Sequence, residues 1–159
     1  MEGSAREQYL VAEVMTATPQ KLQLMLVEAA IRFAGRARQL WAERKDEEAA
    51  EALIRAQDVV GQMLASLDRE SSLPLVRKVA AVYLFVFRCL MEANCQRDER
   101  KLDDALKVLE EERETWRQVC EKFGSRRQLE TSDQPAALPR GLTIDAPAPE
   151  ASGGFSIEA

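Results

Sequence analysis

From residue 18 to about residue 120, apolar side chains recur at three- and four-residue steps, the period of helices that turn one face to a core. A leader precedes them, with apolar residues at Tyr9, Leu10, Val11, Val14 and Met15. Thr18-Pro19 then predicts a helix start, with a hydroxyl to cap orphan amides and a proline at the first helical position. The full capping box is missing, since Lys21 stands where Glu or Gln would be. Leu22, Leu26, Ala29, Phe33, Ala37 and Leu40 form the main stripe of this first long helix, widened by Met25 and Trp41. Leu24, Val27 and Ile31 lie on a second strip beside it. Gly35, inside the helix at a cost of about 1 kcal/mol against alanine, is read as the mark of a close helix contact.

The second long helix is predicted from Asp46, with Glu47 and Glu48 in the first turn, where the macrodipole favours acids. Its stripe is Ala49, Leu53, Ala56, Val60, Met63 or Leu64, and Leu67, with Ile54 and Val59 as surplus apolar positions. Asp68 to Leu73 reads as a connection, and Pro74 opens a third helix reaching about Asn94. From Val79 to Phe87 this helix is apolar nearly all round, so it is predicted to be the most buried. The fourth begins near Asp98, repeats Leu102, Leu106, Leu109, Trp116 and Val119, and stops at Gly124.

Helices of about 20 to 25 residues span roughly 30 to 37 Å, and short connections favour antiparallel neighbours. The predicted fold is therefore all-α: an antiparallel up-down four-helix bundle over residues 18–124, a short N-terminal leader over 1–17 and a disordered tail over 125–159. Four of the six prolines and three of the seven glycines fall in that tail, which has no helical stripe. Its spaced apolar residues, Leu138, Leu142, Ile144, Phe155 and Ile157, raise the idea of a segment that sometimes occupies an apolar groove; an inert solvated tail is the plainer reading.

Charge and chemistry narrow the function. With 22 Lys and Arg against 27 Asp and Glu, a net charge of −5 gives no basic footprint for nucleic acid or anionic lipid. The nine-residue apolar run Val79–Phe87 is well short of the roughly 20 residues a bilayer span needs. No histidine is present, which removes the commonest metal ligand and the usual acid–base group. Di-metal and haem bundles are thereby disfavoured, and no phosphate loop or nucleophile elbow appears. The three cysteines, Cys89, Cys95 and Cys120, lack C-x-x-C spacing, which fits a reducing cytoplasm. Acidic runs such as Glu110-Glu111-Glu112 read as a solvated helix face. No cofactor and no enzymatic activity are expected. Apolar surface beyond a minimal core is either extra packing or a groove for another polypeptide.

One ordered set of residues goes further. Tyr9, Val14, Thr16-Ala17-Thr18-Pro19 and Leu22 with Leu24-Met25-Leu26 resemble the opening of the flagellar secretion chaperone family FliS. Leu53-Ile54-Arg55-Ala56-Gln57 is similar to its L-I-x-A-Q turn, and Tyr83, Arg88, Leu90 and Glu92-Ala93-Asn94 to its third-helix pattern, with Trp116 as the late tryptophan. The chain departs from the pattern at Leu26-Val27-Glu28-Ala29, where L-Y-x-G is frequent, and at Tyr83-Leu84-Phe85, where Tyr-Asp-Tyr is. The resemblance implies a cytoplasmic protein that binds the disordered C-terminal segment of flagellin, prevents its premature polymerisation and assists delivery to the flagellar type III export gate. It further implies that Tyr9, Leu10 and Val14 cover a groove, and that Leu22, Met25, Leu26, Ile54 and Tyr83 contact the partner. Core packing is the rival reading for Leu22 and Leu26. The alternative function is a non-catalytic adaptor, or a self-associating helical bundle with a different client.

Overall fold

The computed structural model describes residues 2–67 and 73–132, and among these every regular element is helical. In chain order they are α1 (Glu2–Thr16), α2 (Pro19–Ala42), α3 (Asp46–Ala65), α4 (Pro74–Gln96) and α5 (Glu99–Ser132).

The helix starts follow from local chemistry. Thr18 is extended, and its hydroxyl oxygen accepts the Lys21 backbone N–H at 3.2 Å, satisfying one orphan donor ahead of Pro19. Three acids occupy the first turn of α3. At the start of α5 the Asp98 carboxylate accepts the backbone N–H of Arg100 at 2.9 Å and of Lys101 at 3.4 Å. The tight turns after α2 and α4 are each made by a left-handed arginine, Arg44 at φ 60° and Arg97 at φ 51°.

α2 packs on α3 and α5, and α4 on the same two helices, so the four close a ring around one core. Cross-helix contacts show how they run. Gln23 near the start of α2 bonds Ser66 just past the end of α3, and Asp46 at the start of α3 pairs with Arg97 at the end of α4. Lys101 meets Glu92 while, further along α5, Trp116 meets Tyr83 further back in α4. Arg38 late in α2 pairs with Asp103 early in α5. Successive neighbours are thus antiparallel.

Buried α2 side chains are Leu24, Val27, Ala30, Ala34, Ala37, Leu40 and Trp41, facing Ala49, Ala52, Leu53, Ala56, Val60 and Met63 of α3. Tyr83, Val86, Cys89, Leu90 and Ala93 of α4 and Leu102, Ala105, Leu106 and Leu109 of α5 complete the core. Alanines dominate the α2–α3 contact, the most extensive in the molecule, and short side chains permit close helix approach.

Several expectations are corrected. The predicted main stripe of α2 holds at Ala37, Leu40 and Trp41 but is out of phase before them: the strip carrying Leu24 and Val27 is the buried one there, while Leu22, Leu26, Ala29 and Phe33 are only half-buried. Helix α4 is not the most buried element, for Leu84, Phe85 and Met91 face solvent. Gly35 marks no close approach, because a Cβ there would meet nothing within 4 Å. Gly124 does not end α5, which continues eight residues further to Ser132; no described glycine adopts the left-handed conformation of a helix stop. The leader is itself a helix, and its residues are exposed nearly throughout. The tail residues 133–159, including Leu138, Leu142, Ile144, Phe155 and Ile157, lie outside the described residues.

Candidate partner-binding surface

Because the core is filled largely by small and medium side chains, several large apolar ones are left at the seams between helices. The first seam joins α2 and α3. Leu22, Leu26, Ala29 and Phe33 line one edge of α2 and are half-buried, with Met25 beside them. Val59 of α3 is half-buried on the same side, and the Arg55 guanidinium lies over the Phe33 ring at 6.0 Å, a distance suited to a cation–π contact. Gln23 closes the end of the seam by donating its amide to the Ser66 hydroxyl at 3.2 Å.

The second seam joins α3 and α4. A Cβ on Gly61 would stand 3.9 Å from the Phe87 ring, which fixes the strip Ala80, Leu84, Phe87 and Met91 on the α3 side of α4. Ile54 lies two turns before Gly61 along α3 and is 49% exposed; Leu84 and Met91 are exposed as well. The third seam, between α4 and α5, is a groove with Ala81, Val82, Phe85 and Val108 as its apolar lining and Asp104, Lys107, Glu111 and Glu112 beside them. A separate recess of about 800 Å³ sits at the elbow between α1 and α2, where Thr16, Pro19 and Lys21 face Cys120 and Phe123 of α5.

Beneath the third seam lies a polar cluster. Trp116 Nε1 donates to the Tyr83 hydroxyl at 3.2 Å. Burial pushes the Tyr83 phenol up to about 12, against the lowering effect of the indole bond and with Glu112 as a further raising influence. Burial likewise raises the Glu112 carboxyl, offset by its hydrogen bonds with Tyr83 and Trp116. The Cys89 thiol is raised by burial, which keeps it protonated and unreactive. Among the described residues no group of three His, Cys, Asp or Glu could hold a metal ion, and no helix is long and apolar enough to cross a membrane.

The residues singled out in the sequence therefore separate into three groups. Tyr9, Leu10 and Val14 are exposed on α1, which makes no extensive contact with the ring. Leu22, Met25 and Leu26 share the α2 edge, and Ile54 lies on the α3–α4 side. Tyr83 stands apart: at 1% exposure it is a core residue whose hydroxyl is engaged inside the protein, so its side chain is not presented to a partner. Leu84, Phe85 and Met91 were missed as surface residues. For Leu84 and Met91 the signal was present, since Arg77, Ala81, Leu84, Arg88, Met91 and Cys95 recur at helical steps and the two arginines mark that face as solvated.

The family model described as flagellar protein FliS matches residues 2–123, which takes in α1 to α4 and most of α5. The chain belongs to this family. Two curated relatives, both named flagellar secretion chaperone FliS, agree. The Bacillus subtilis (strain 168) protein is 29% identical over 113 residues, covering 71% of this chain and 84% of the relative. The Salmonella typhimurium protein (strain LT2) is 32% identical over 111 residues, covering 69% and 82%. The chain thus joins a family of flagellar secretion chaperones to a bundle whose seams leave Ile54, Leu84, Phe85 and Met91 exposed.

Proposed function

We propose that this protein is a flagellin-specific export chaperone that binds the disordered C-terminal segment of flagellin in the cytoplasm. Capture prevents premature polymerisation and assists delivery to the flagellar type III export gate. The observation that carries this reading is the set of uncovered apolar seams, above all Ile54, Leu84 and Met91 between α3 and α4. A segment that folds only on binding must offset its ordering cost, so it needs long apolar tracks rather than one pocket. Amphipathic pieces of the client lay their apolar faces in the tracks. Neither nucleotide nor catalytic step enters.

In this reading residues 18–124 are the working unit. Leu22, Met25, Leu26 and Ile54 contact the client directly, and Tyr83 acts from beneath by holding α4 against α5. Helix α1, with Tyr9, Leu10 and Val14, folds back along the α2 edge as a displaceable cover.

Calorimetry of the full chain with a peptide of the flagellin C-terminal segment tests the proposal, with Ile54→Asp as the surface variant. Binding by the native chain that weakens at least tenfold in Ile54→Asp supports it. No binding by either protein overturns it, and a native dimer that Ile54→Asp dissociates favours the self-associating bundle instead.

A further inference from the structure

The α4–α5 groove sets an apolar floor beside a wall rich in carboxylates. Its floor is apolar, with Phe85 48% exposed and Val82 and Val108 half-buried against the core. Its α5 wall carries the carboxylates Asp104, Glu111 and Glu112, with Lys107 as the cation among the lining residues. Among the described residues these three carboxylates form no ion pair, as is true of other exposed acids on the ring; what is particular here is that they stand beside an apolar floor. Glu112 is half-buried beside the neutral side chains of Tyr83 and Trp116, with the Glu111 carboxylate as a further neighbour. A half-buried carboxylate without a countercharge is costly, and a cation brought by a ligand would relieve it.

We propose that the α4–α5 groove is a docking site for a short amphipathic helix of another protein, one that lays an apolar stripe on Phe85 and Val108 and presents Lys or Arg to Asp104, Glu111 and Glu112. From Asp104 to Glu112 the wall rises about 12 Å, so a helix of three turns fills it with cations two turns apart. This chain's own α1 does not match, since it offers Glu2, Glu7 and Glu13 against a single Arg6. Nor does a second copy, whose net charge of −5 would meet an acidic wall. The α4 side adds the exposed cations Lys78 and Arg88 outside the lining, so an acidic residue on the helix's far flank would complete the match. The site goes beyond the flagellin reading and stands or falls without it.

The test uses the full chain and two capped 14-residue helical peptides. Both carry leucines at i, i+4, i+7 and i+11; one has lysines flanking the stripe, its twin glutamates. The lysine peptide is expected to bind at least tenfold tighter than its twin. Phe85→Asp should lower its affinity tenfold or more and Glu112→Gln threefold or more, while Ile54→Asp leaves it unchanged. Equal affinity of the twins overturns the proposal without any protein variant. So does a loss in Glu51→Gln, on the exposed face of α3, as large as that in Glu112→Gln, which would signal general attraction to an acidic protein. Binding that survives Phe85→Asp but is lost in Ile54→Asp assigns the peptide to the α3–α4 seam and also overturns it.

Discussion

The indole nitrogen of Trp116 donates to the hydroxyl of Tyr83 at 3.2 Å, tying a half-buried side chain of α5 to a fully buried one of α4. Tyr83→Phe keeps the ring and removes the oxygen, leaving the indole N–H and the Glu112 carboxylate without it. An unsatisfied buried polar group costs about 1 to 3 kcal/mol, so urea unfolding should show a loss near the lower end of that range. Far-ultraviolet circular dichroism should be unchanged.

The same phenol sets an alkaline limit. Its folded value of about 12 lies above the ordinary 10.0, so between these the unfolded chain has released a proton that the folded chain retains. Fewer protons bound in the unfolded state means that stability falls as pH rises. The contribution is present below pH 10 and is lost towards pH 12. Urea midpoints across that range should fall less steeply in Tyr83→Phe than in the native chain.

Leu53 and Ile54 are sequence neighbours with opposite fates, the first fully buried and the second 49% exposed. Leu53→Ala should cost about 2 to 5 kcal/mol through loss of burial and the cavity left behind. Ile54→Asp should change stability by less than about 1 kcal/mol, roughly the scale of surface substitutions, while weakening client capture. A collapse of fold in Ile54→Asp would place it in the core.

Three backbone positions offer stabilisation. Gly35→Ala and Gly61→Ala sit in helices with no clash within 3.4 Å, so each should add about 0.5 to 1 kcal/mol. Arg44 is exposed and left-handed, a conformation costing most residues about 1 to 2 kcal/mol, so Arg44→Gly should raise the melting temperature.

Removing residues 1–17 should leave the melting temperature of the bundle within a few degrees, because α1 makes no extensive contact with the ring. If α1 is a displaceable cover, flagellin-peptide affinity rises or stays level. A marked fall in affinity would make α1 part of the binding surface instead.

Helix starts were legible because each rests on local chemistry: Thr18 and Pro19, the acids after Asp46, Pro74, and Asp98. The stripe of α3 was legible too, since its leucines and alanines share one face. The phase of the first half of α2 was not, although Ala37, Leu40 and Trp41 were placed correctly. Weighting by side-chain size chose Leu22, Leu26 and Phe33, whereas α2 lies close to α3 through Ala30, Ala34 and Ala37 and leaves the large residues at the margin. The same size bias hid Leu84, Phe85 and Met91, whose surroundings depend on how far the neighbouring helices reach. Gly124 misled because a glycine ends a helix only when it turns left-handed, and neither composition nor spacing reveals that.

Only Ala17 and Thr18 separate α1 from α2, and Pro19 fixes where the second helix begins. A rod of 15 residues, about 22 Å long, is thus hinged at the end of the bundle, where the elbow faces Cys120 and Phe123 of α5. Ile54, Leu84 and Met91 stand exposed while α1 makes no extensive contact with the ring, so under the proposed function a first encounter there does not wait for the rod to move. Displacement of the rod would then follow the first encounter rather than precede it, governing how long a complex lasts more than how quickly it starts.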